Sequence, residues 1–283
     1  MRTFRYQLCD VFTERPLCGN ALAVFTDAVG LDDTSLQALA RELNLSECAF
    51  VLPPSTPAAD ARLRIFTPSM ELPFAGHPTL GTAFVLTAEK RGLSIRLETA
   101  RGISVVTFSR PALGPAFGWM TQPVPEISAY ARDTELLGAL GVEAGAVRAP
   151  IELYDNGPHY VLVELASAAA VARLAPDMRR LQALGSIAAV VFAPHDTRWK
   201  ARVFAPGEGI SEDPATGAAA GPIALYLGRH GRVPFATEVS IDQGVEVGRP
   251  STLFARARGG AEPFAVEVGG NAVVIGRGEV DLP

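Results

Sequence analysis

The chain has 283 residues, 48% hydrophobic and only 19% charged, so it has apolar material for sizeable cores and is not a disordered sequence. A net charge of −5 and a pI near 5.5 leave no basic footprint for nucleic acid. No apolar run reaches the roughly 18 residues of a membrane span, and 27 glycines with 22 prolines point to a turn-rich β protein.

The opening MRTFRYQLCDVFTERP alternates like a strand and lacks the apolar core of a signal peptide. Cys9, Cys18 and Cys48 have no metal spacing and are odd in number, so a reducing, cytoplasmic setting is expected. Residues 33–43 read as an amphipathic helix capped by Asp33, with Leu36, Leu39, Ala40 and Leu43 on one face. Strands are predicted at 47–52 and 62–66, broken by Pro68. PTLGTAFVLTAEKRG (78–92) is apolar on nearly every side over its first two turns, the mark of a buried helix round which strands must curl. SIRLETARGISVVTF (94–108) follows as a hairpin, and Asn156-Gly157-Pro158 as a turn between strands, with Gly157 offering a backbone to a ligand. AAVVFAP (188–194) is the next strand, and PATGAAAGPIALYLG (214–228) a second buried helix that Pro222 should kink. EVSIDQGVEVGRPSTLFARA (238–257) is a further hairpin-like stretch.

The chain repeats itself. RIFTPSMELPFAGHPTLGTA (64–83) matches RVFAPGEGISEDPATGAA (202–219), with Phe66 and Phe204 lying 138 positions apart. LQALA (36–40) echoes LQALG (181–185), and each is followed by an apolar strand ending in proline. The expected fold is therefore α+β: two pseudo-symmetric domains, at 1–122 and 123–283, each a curved, mostly antiparallel sheet wrapped round a central buried helix. The last strand is expected to return to the first domain.

In each half the central helix is expected to start with a polar cap, His77 or Asp213, followed by proline at its first position and then small residues. Two helix N-termini with bare N–H groups, facing across a cleft, make a site for an anion that needs no metal. Glu47 breaks the symmetry, because its counterpart is Ala188. Flanked by Ser46 and Cys48 and leading an apolar strand, it is either a desolvated acid/base or a solvent-facing glutamate at a strand edge. The residues alone leave these level. The cysteines read as small core residues, and His159, His195 and His230 lack zinc spacing. GEG (207–209) and GNA (19–21) lack the context of a dinucleotide loop.

DVFTERPLCGNALAVF (10–25), NLSECAFVLPP (44–54), RIFTPSMELPFAGHPTLGTAF (64–84), SEDPATGAAAG (211–221) and QGVEVGRPS (243–251) together resemble the phenazine-biosynthesis PhzF-like family. The resemblance implies the diaminopimelate epimerase-like fold, which agrees with the repeat. It also implies a cofactor-independent isomerase in which Glu47 takes a proton from one ring carbon and returns it to another. His77 and Asp213 would orient the substrate, a small anionic carboxylate. Substrate contacts are expected from Asn20, Ser46, Gly76, Thr79, Gly157, Thr216, Gly217 and Ala218, with no metal, and family analogy suggests a homodimer. The related epimerases use two cysteines, and this chain has none after Cys48, which excludes a two-thiol racemase. Phenazine enzymes carry a serine directly after Pro-Ala-Thr-Gly where this chain has Ala218, which removes a hydroxyl expected at the substrate carboxylate. Proton abstraction of the epimerase or lyase type on another small acid, and non-catalytic anion binding, are the alternatives.

Overall fold

The computed structural model describes residues 1–88, 93–109, 115–259 and 263–282. Its helices are α1 (Asp33–Leu43), α2 (Gly76–Thr87), α3 (Asp133–Leu140), α4 (Ala168–Ala172), α5 (Met178–Gln182) and α6 (Gly217–Arg229). The end of the helix expected at 78–92, residues 89–92, lies outside the described residues. Among the described residues, no helix is long and apolar enough to cross a membrane.

The strand pairings repeat between the two halves of the chain. In the first, Asn20–Phe25 runs parallel to Glu47–Leu52, which is antiparallel to Ala61–Phe66. In the second, His159–Glu164 runs parallel to Ala188–His195, which is antiparallel to Arg198–Ala205. Each third strand then has a parallel neighbour that opens a hairpin: Ser94–Thr99 with Gly102–Ser109, and Val239–Gln243 with Ser251–Gly259. Phe66 opposes Cys48 and Phe204 opposes Ala189, so the register itself makes Glu47 and Ala188 equivalent positions. Two further pairings extend the sheets, one within the second half of the chain and one between the halves. Glu126–Ala129 pairs with Glu152–Asp155, and the final strand Ala272–Leu282 pairs with Arg2–Val11. Phe117–Gln122 and Pro263–Gly270 pair with each other and join the two sheets into one.

The repeated Arg-x-Phe also repeats its contacts. Arg64 makes a two-pronged bond to Glu71 at 2.7 and 2.6 Å, and Arg202 does the same to Glu212 at 2.8 and 2.7 Å. Both guanidiniums also lie over the ring two residues on, Phe66 or Phe204. A planar fork on a carboxylate fixes geometry as well as supplying energy. These bridges hold the segments that lead from each sheet into its central helix.

Both central helices are buried on almost every side, as their composition requires. Leu80, Ala83 and Phe84 of α2 and Ile223, Leu225 and Leu227 of α6 belong to one core spanning the two lobes, each large side chain contributing about 1.5–3 kcal/mol. Smaller cores lie elsewhere: Leu36 and Leu39 of α1 with Phe25 and Phe50, and α3 to α5 with Val163 and Val191.

The helix starts differ from the expected ones. Asp32, not Asp33, caps α1 by accepting from Ser35 N, which frees Asp33 to pair with Arg64. Helix α2 begins one residue before His77 with Ala75 as its cap, so Pro78 is the third helical residue. Helix α6 begins at Gly217, four residues after Asp213, which ends the strand Ile210–Asp213. The starts are staggered because they abut. A Cβ placed on Gly76 would lie 2.4 Å from Ala218 N, and one on Gly217 would lie 2.7 Å from the Phe12 ring. Helix α6 continues through Pro222; the Ala218 carbonyl that loses its N–H partner accepts from Asn156 Nδ2 at 2.9 Å instead.

Gly76→Ala should force the two backbones apart, with an overpacking cost of about 1–3 kcal/mol. Urea unfolding of the variant is expected to give a lower midpoint; an unchanged midpoint would mean that the helix starts have room to spare.

Candidate active site

Glu47 opens a strand held on both sides, by Asn20–Phe25 and by Ala61–Phe66, and is 5% exposed. The staggered helix starts bring His77, in the first turn of α2, and Asp213, just before α6, to the same place. Glu47, Gly76, His77, Asp213, Gly217 and Ala218 all line one cavity of about 30 Å³. The pairing expected from the repeat is therefore met in space, although neither His77 nor Asp213 caps a helix.

Asn20 ties the two halves together. Its Nδ2 lies 2.8 Å from Asp213 Oδ1, 2.9 Å from the Ala215 carbonyl and 3.1 Å from His77 Nδ1. Thr216 Oγ1 donates to Asp213 Oδ2 at 2.6 Å. Ser46 lies near enough to Asp213 to favour its charged form. The Gln243 amide closes the ring of contacts, donating to the Asp213 carbonyl at 2.7 Å and to Thr216 Oγ1 at 3.0 Å while accepting from Thr216 N. Asp213 is thus fixed by several partners. Glu47 is not: His77 Nδ1 approaches its Oε2 to 3.1 Å, but without hydrogen-bond geometry, and Oε2 and His77 Nε2 are buried without a partner.

Burial sets the protonation states. Loss of solvent pushes the Glu47 carboxyl well above its usual range, and the nearby Asp213 and Glu208 carboxyls push it further the same way. Burial lowers His77 to about 3, so its ring is neutral near pH 7. Asp213 is raised by burial, against the hydrogen bonds from Thr216, Asn20 and Ser46 that favour its charged form. A carboxyl raised by burial beside a neutral imidazole can both release and take back a proton.

The other expected contacts divide. Thr79 spends its hydroxyl on the Ala75 carbonyl at 2.7 Å and does not line the cavity. Gly157, at φ 128°, sits against Pro73 and Phe74, and it is Pro158 that reaches the cavity wall. Sequence reasoning missed Glu208, Tyr160 and Gln243. Glu208 lies in the Gly-Glu-Gly that lacks the context of a dinucleotide loop; its position between Arg-x-Phe-x-Pro and Asp213 is the available signal. Tyr160 comes from a strand with nothing local to mark it, whereas Gln243 opens the QGVEVGRPS motif (243–251), which gave it no role of its own. Cys9, Cys18 and Cys48 are free and buried. Among the described residues, no group of three or more His, Cys, Asp or Glu could hold a metal ion.

Residues 9–278 match the family model for phenazine biosynthesis-like proteins. The chain is 47% identical over 278 residues to the trans-2,3-dihydro-3-hydroxyanthranilate isomerase of Pseudomonas chlororaphis, covering 98% of this chain and 99% of that protein. In structure it is similar to a Bacillus anthracis phenazine biosynthesis protein of the PhzF family, with TM-score 0.85, 25% identity and full coverage of both chains. It is also similar to a hydroxyproline epimerase from Agrobacterium vitis, with TM-score 0.68, 14% identity and coverage of 99% and 91%, a likeness of fold alone.

The two shifted groups give opposite pH dependences. His77 is lowered on folding, so its share of stability is complete above the unfolded value of 6.5 and is lost as pH falls toward about 3. Glu47 is raised, so its share is complete below 4.5 and is lost as pH rises through its folded value. Denaturant unfolding of His77→Gln at pH 4.5, 5.5 and 7 should show less acid destabilisation than wild type, by up to about 1.4 kcal/mol per pH unit. Glu47→Gln should instead flatten the decline on the alkaline side.

Proposed function

The chain belongs to the phenazine biosynthesis-like family and is an isomerase, and on that premise we propose that Glu47 is the group that moves the proton. The substrate class is a small ring carboxylate of the dihydro-hydroxyanthranilate type, by likeness to the Pseudomonas chlororaphis isomerase. Glu47 breaks one ring C–H bond and forms another as the double bond shifts, so no atom is gained or lost and no cofactor is needed. The observation that carries this reading is the unpartnered, buried Glu47 Oε2 in a cavity between two helix starts.

The other residues take supporting parts. Helix geometry leaves the first N–H groups of α2 and α6 without intrahelical acceptors, which favours the substrate carboxylate between Gly76 and Gly217. With Ala218 in place of a serine, that carboxylate rests on backbone N–H groups and not on a hydroxyl. Neutral His77 and the anchored Asp213 orient the ring's polar groups. A cavity of about 30 Å³ has the volume of roughly one water in the liquid. A ring carboxylate therefore enters only when the two lobes part along the seam of Gly76 and Gly217. The same proposal sets the enzyme in the cytoplasm, in keeping with three buried free thiols, and as a homodimer.

Glu47→Gln should lower turnover of the dihydro-hydroxyanthranilate by at least about 100-fold while calorimetric binding survives. Run in deuterated water, the wild type should place label at the carbon that gains the proton. Label returned to the carbon that lost it would point to an epimerase instead, and full turnover by Glu47→Gln would refute the mechanism.

A further inference from the structure

The repeat that pairs Glu47 with Ala188 also pairs their strand neighbours. Leu22 lies beside Glu47 in the first parallel pair, and Tyr160 lies beside Ala188 in the second. The glycines three residues earlier correspond as well: Gly19 and Gly157 both have positive φ, at 67° and 128°. The two lobes therefore trade roles at this point. In the first, a carboxyl faces its neighbour strand's apolar residue; in the second, an alanine adjoins a phenol.

Leu22 is fully buried and packs on α2, where a Cβ on Gly81 would lie 2.7 Å from its Cδ2. Tyr160 is 4% exposed, and with Ala188 and Pro158 it lines the cavity that holds Glu47. Among the described residues its hydroxyl makes no hydrogen bond. Buried tyrosine hydroxyls usually find a partner, because leaving one unmade is costly. Buried Tyr154 donates to Glu152 at 2.9 Å and buried Tyr226 to the Pro150 carbonyl at 3.2 Å. Tyr160 is the exception, and it is the one that faces the cavity. Burial holds its proton in place, and the Glu208, Glu47 and Asp213 carboxyls act in the same direction.

Removing a proton from a carbon beside a double bond leaves an electron pair shared along that bond and onto polar atoms conjugated with it. This cavity is a poor place for such a charge: no lysine or arginine lines it, and the Thr216 hydroxyl is committed to Asp213. Resting on the isomerase reading above, we propose that Tyr160 is a further catalytic residue, donating a hydrogen bond from the second lobe to this charge while Glu47 holds the proton. The O–H bond of Tyr160 stays intact, so the proton balance remains that of Glu47 alone. The hydrogen bond strengthens as charge develops, which lowers the barrier without tightening the hold on the substrate.

The test is Tyr160→Phe, assayed beside wild type with trans-2,3-dihydro-3-hydroxyanthranilate and unfolded in urea. The variant's kcat should fall about 100-fold, the scale of losing one donor to a developing charge, with KM little changed. Its urea midpoint should hold or rise, since the variant loses only a buried hydroxyl that has no partner. An unchanged kcat would overturn the proposal. So would a raised KM at constant kcat, which marks a contact made equally in the ground state. A fall in kcat accompanied by a lower midpoint would assign Tyr160 a structural role and overturn it too. Failure of the proton-transfer reading appears separately, as turnover by Glu47→Gln, a measurement that does not involve Tyr160→Phe.

Discussion

The meeting of two helix N-termini at Gly76 and Gly217 is the contact on which the rest of the site depends. A Cβ on Gly76 would fall 2.5 Å from Gly217 C, so no other residue lets the backbones come this close. The closeness draws the bare N–H groups of both helices to one spot, and α6 starts more than one turn later than α2 when His77 and Asp213 are taken as equivalent. That stagger makes His77 a first-turn residue and leaves Asp213 outside its helix. The pseudo-symmetry of the chain thus places equivalent segments face to face and lets their side chains take different parts.

Burial at this seam has an electrostatic consequence. The wall of sheet and helix that excludes water also raises Glu47, Asp213 and Glu208 and lowers His77. Each shift follows from the cost of charge in a low-dielectric pocket, and the carboxyls add to it by repelling one another. Asp213 offsets part of the cost through Thr216, Asn20 and Ser46, whereas Glu47 has no such bonds to lower it. Fixed orientation and poised protonation are thereby given to different residues of one pocket.

The division of labour between lobes has a topological cause. Ala272–Leu282 completes the sheet of the first half, and Glu126–Ala129 adds to the sheet of the second. The first lobe thus includes a strand supplied by the second half of the chain. The seam is accordingly bounded by covalent connections as well as by the pairing of Phe117–Gln122 with Pro263–Gly270. Gln122 adds a direct tie, donating from Nε2 to the Gly217 carbonyl at 2.9 Å.

Much of this was legible in the residues, for a physical reason. Periodicity and turn chemistry are local, so α1, the buried helices, the hairpins and the Asn156-Gly157-Pro158 turn could be read in one pass. The repeat located Glu47 against Ala188, and the strand register reproduces that pairing. Family likeness, carried by motifs along the chain, supplied the isomerase chemistry that spacing alone left level with a surface glutamate. Other features depend on groups far apart in sequence. Whether His77 caps a helix, which carbonyl Pro222 releases and to whom, and whether Glu208 shares a cavity with Glu47 are decided by packing. A side chain's charge state is likewise fixed by what excludes water around it. The sequence by itself determined the duplicated α+β architecture and singled out Glu47. Only the tertiary structure decided that Glu47 is desolvated, because the wall that desolvates it comes from both halves of the chain.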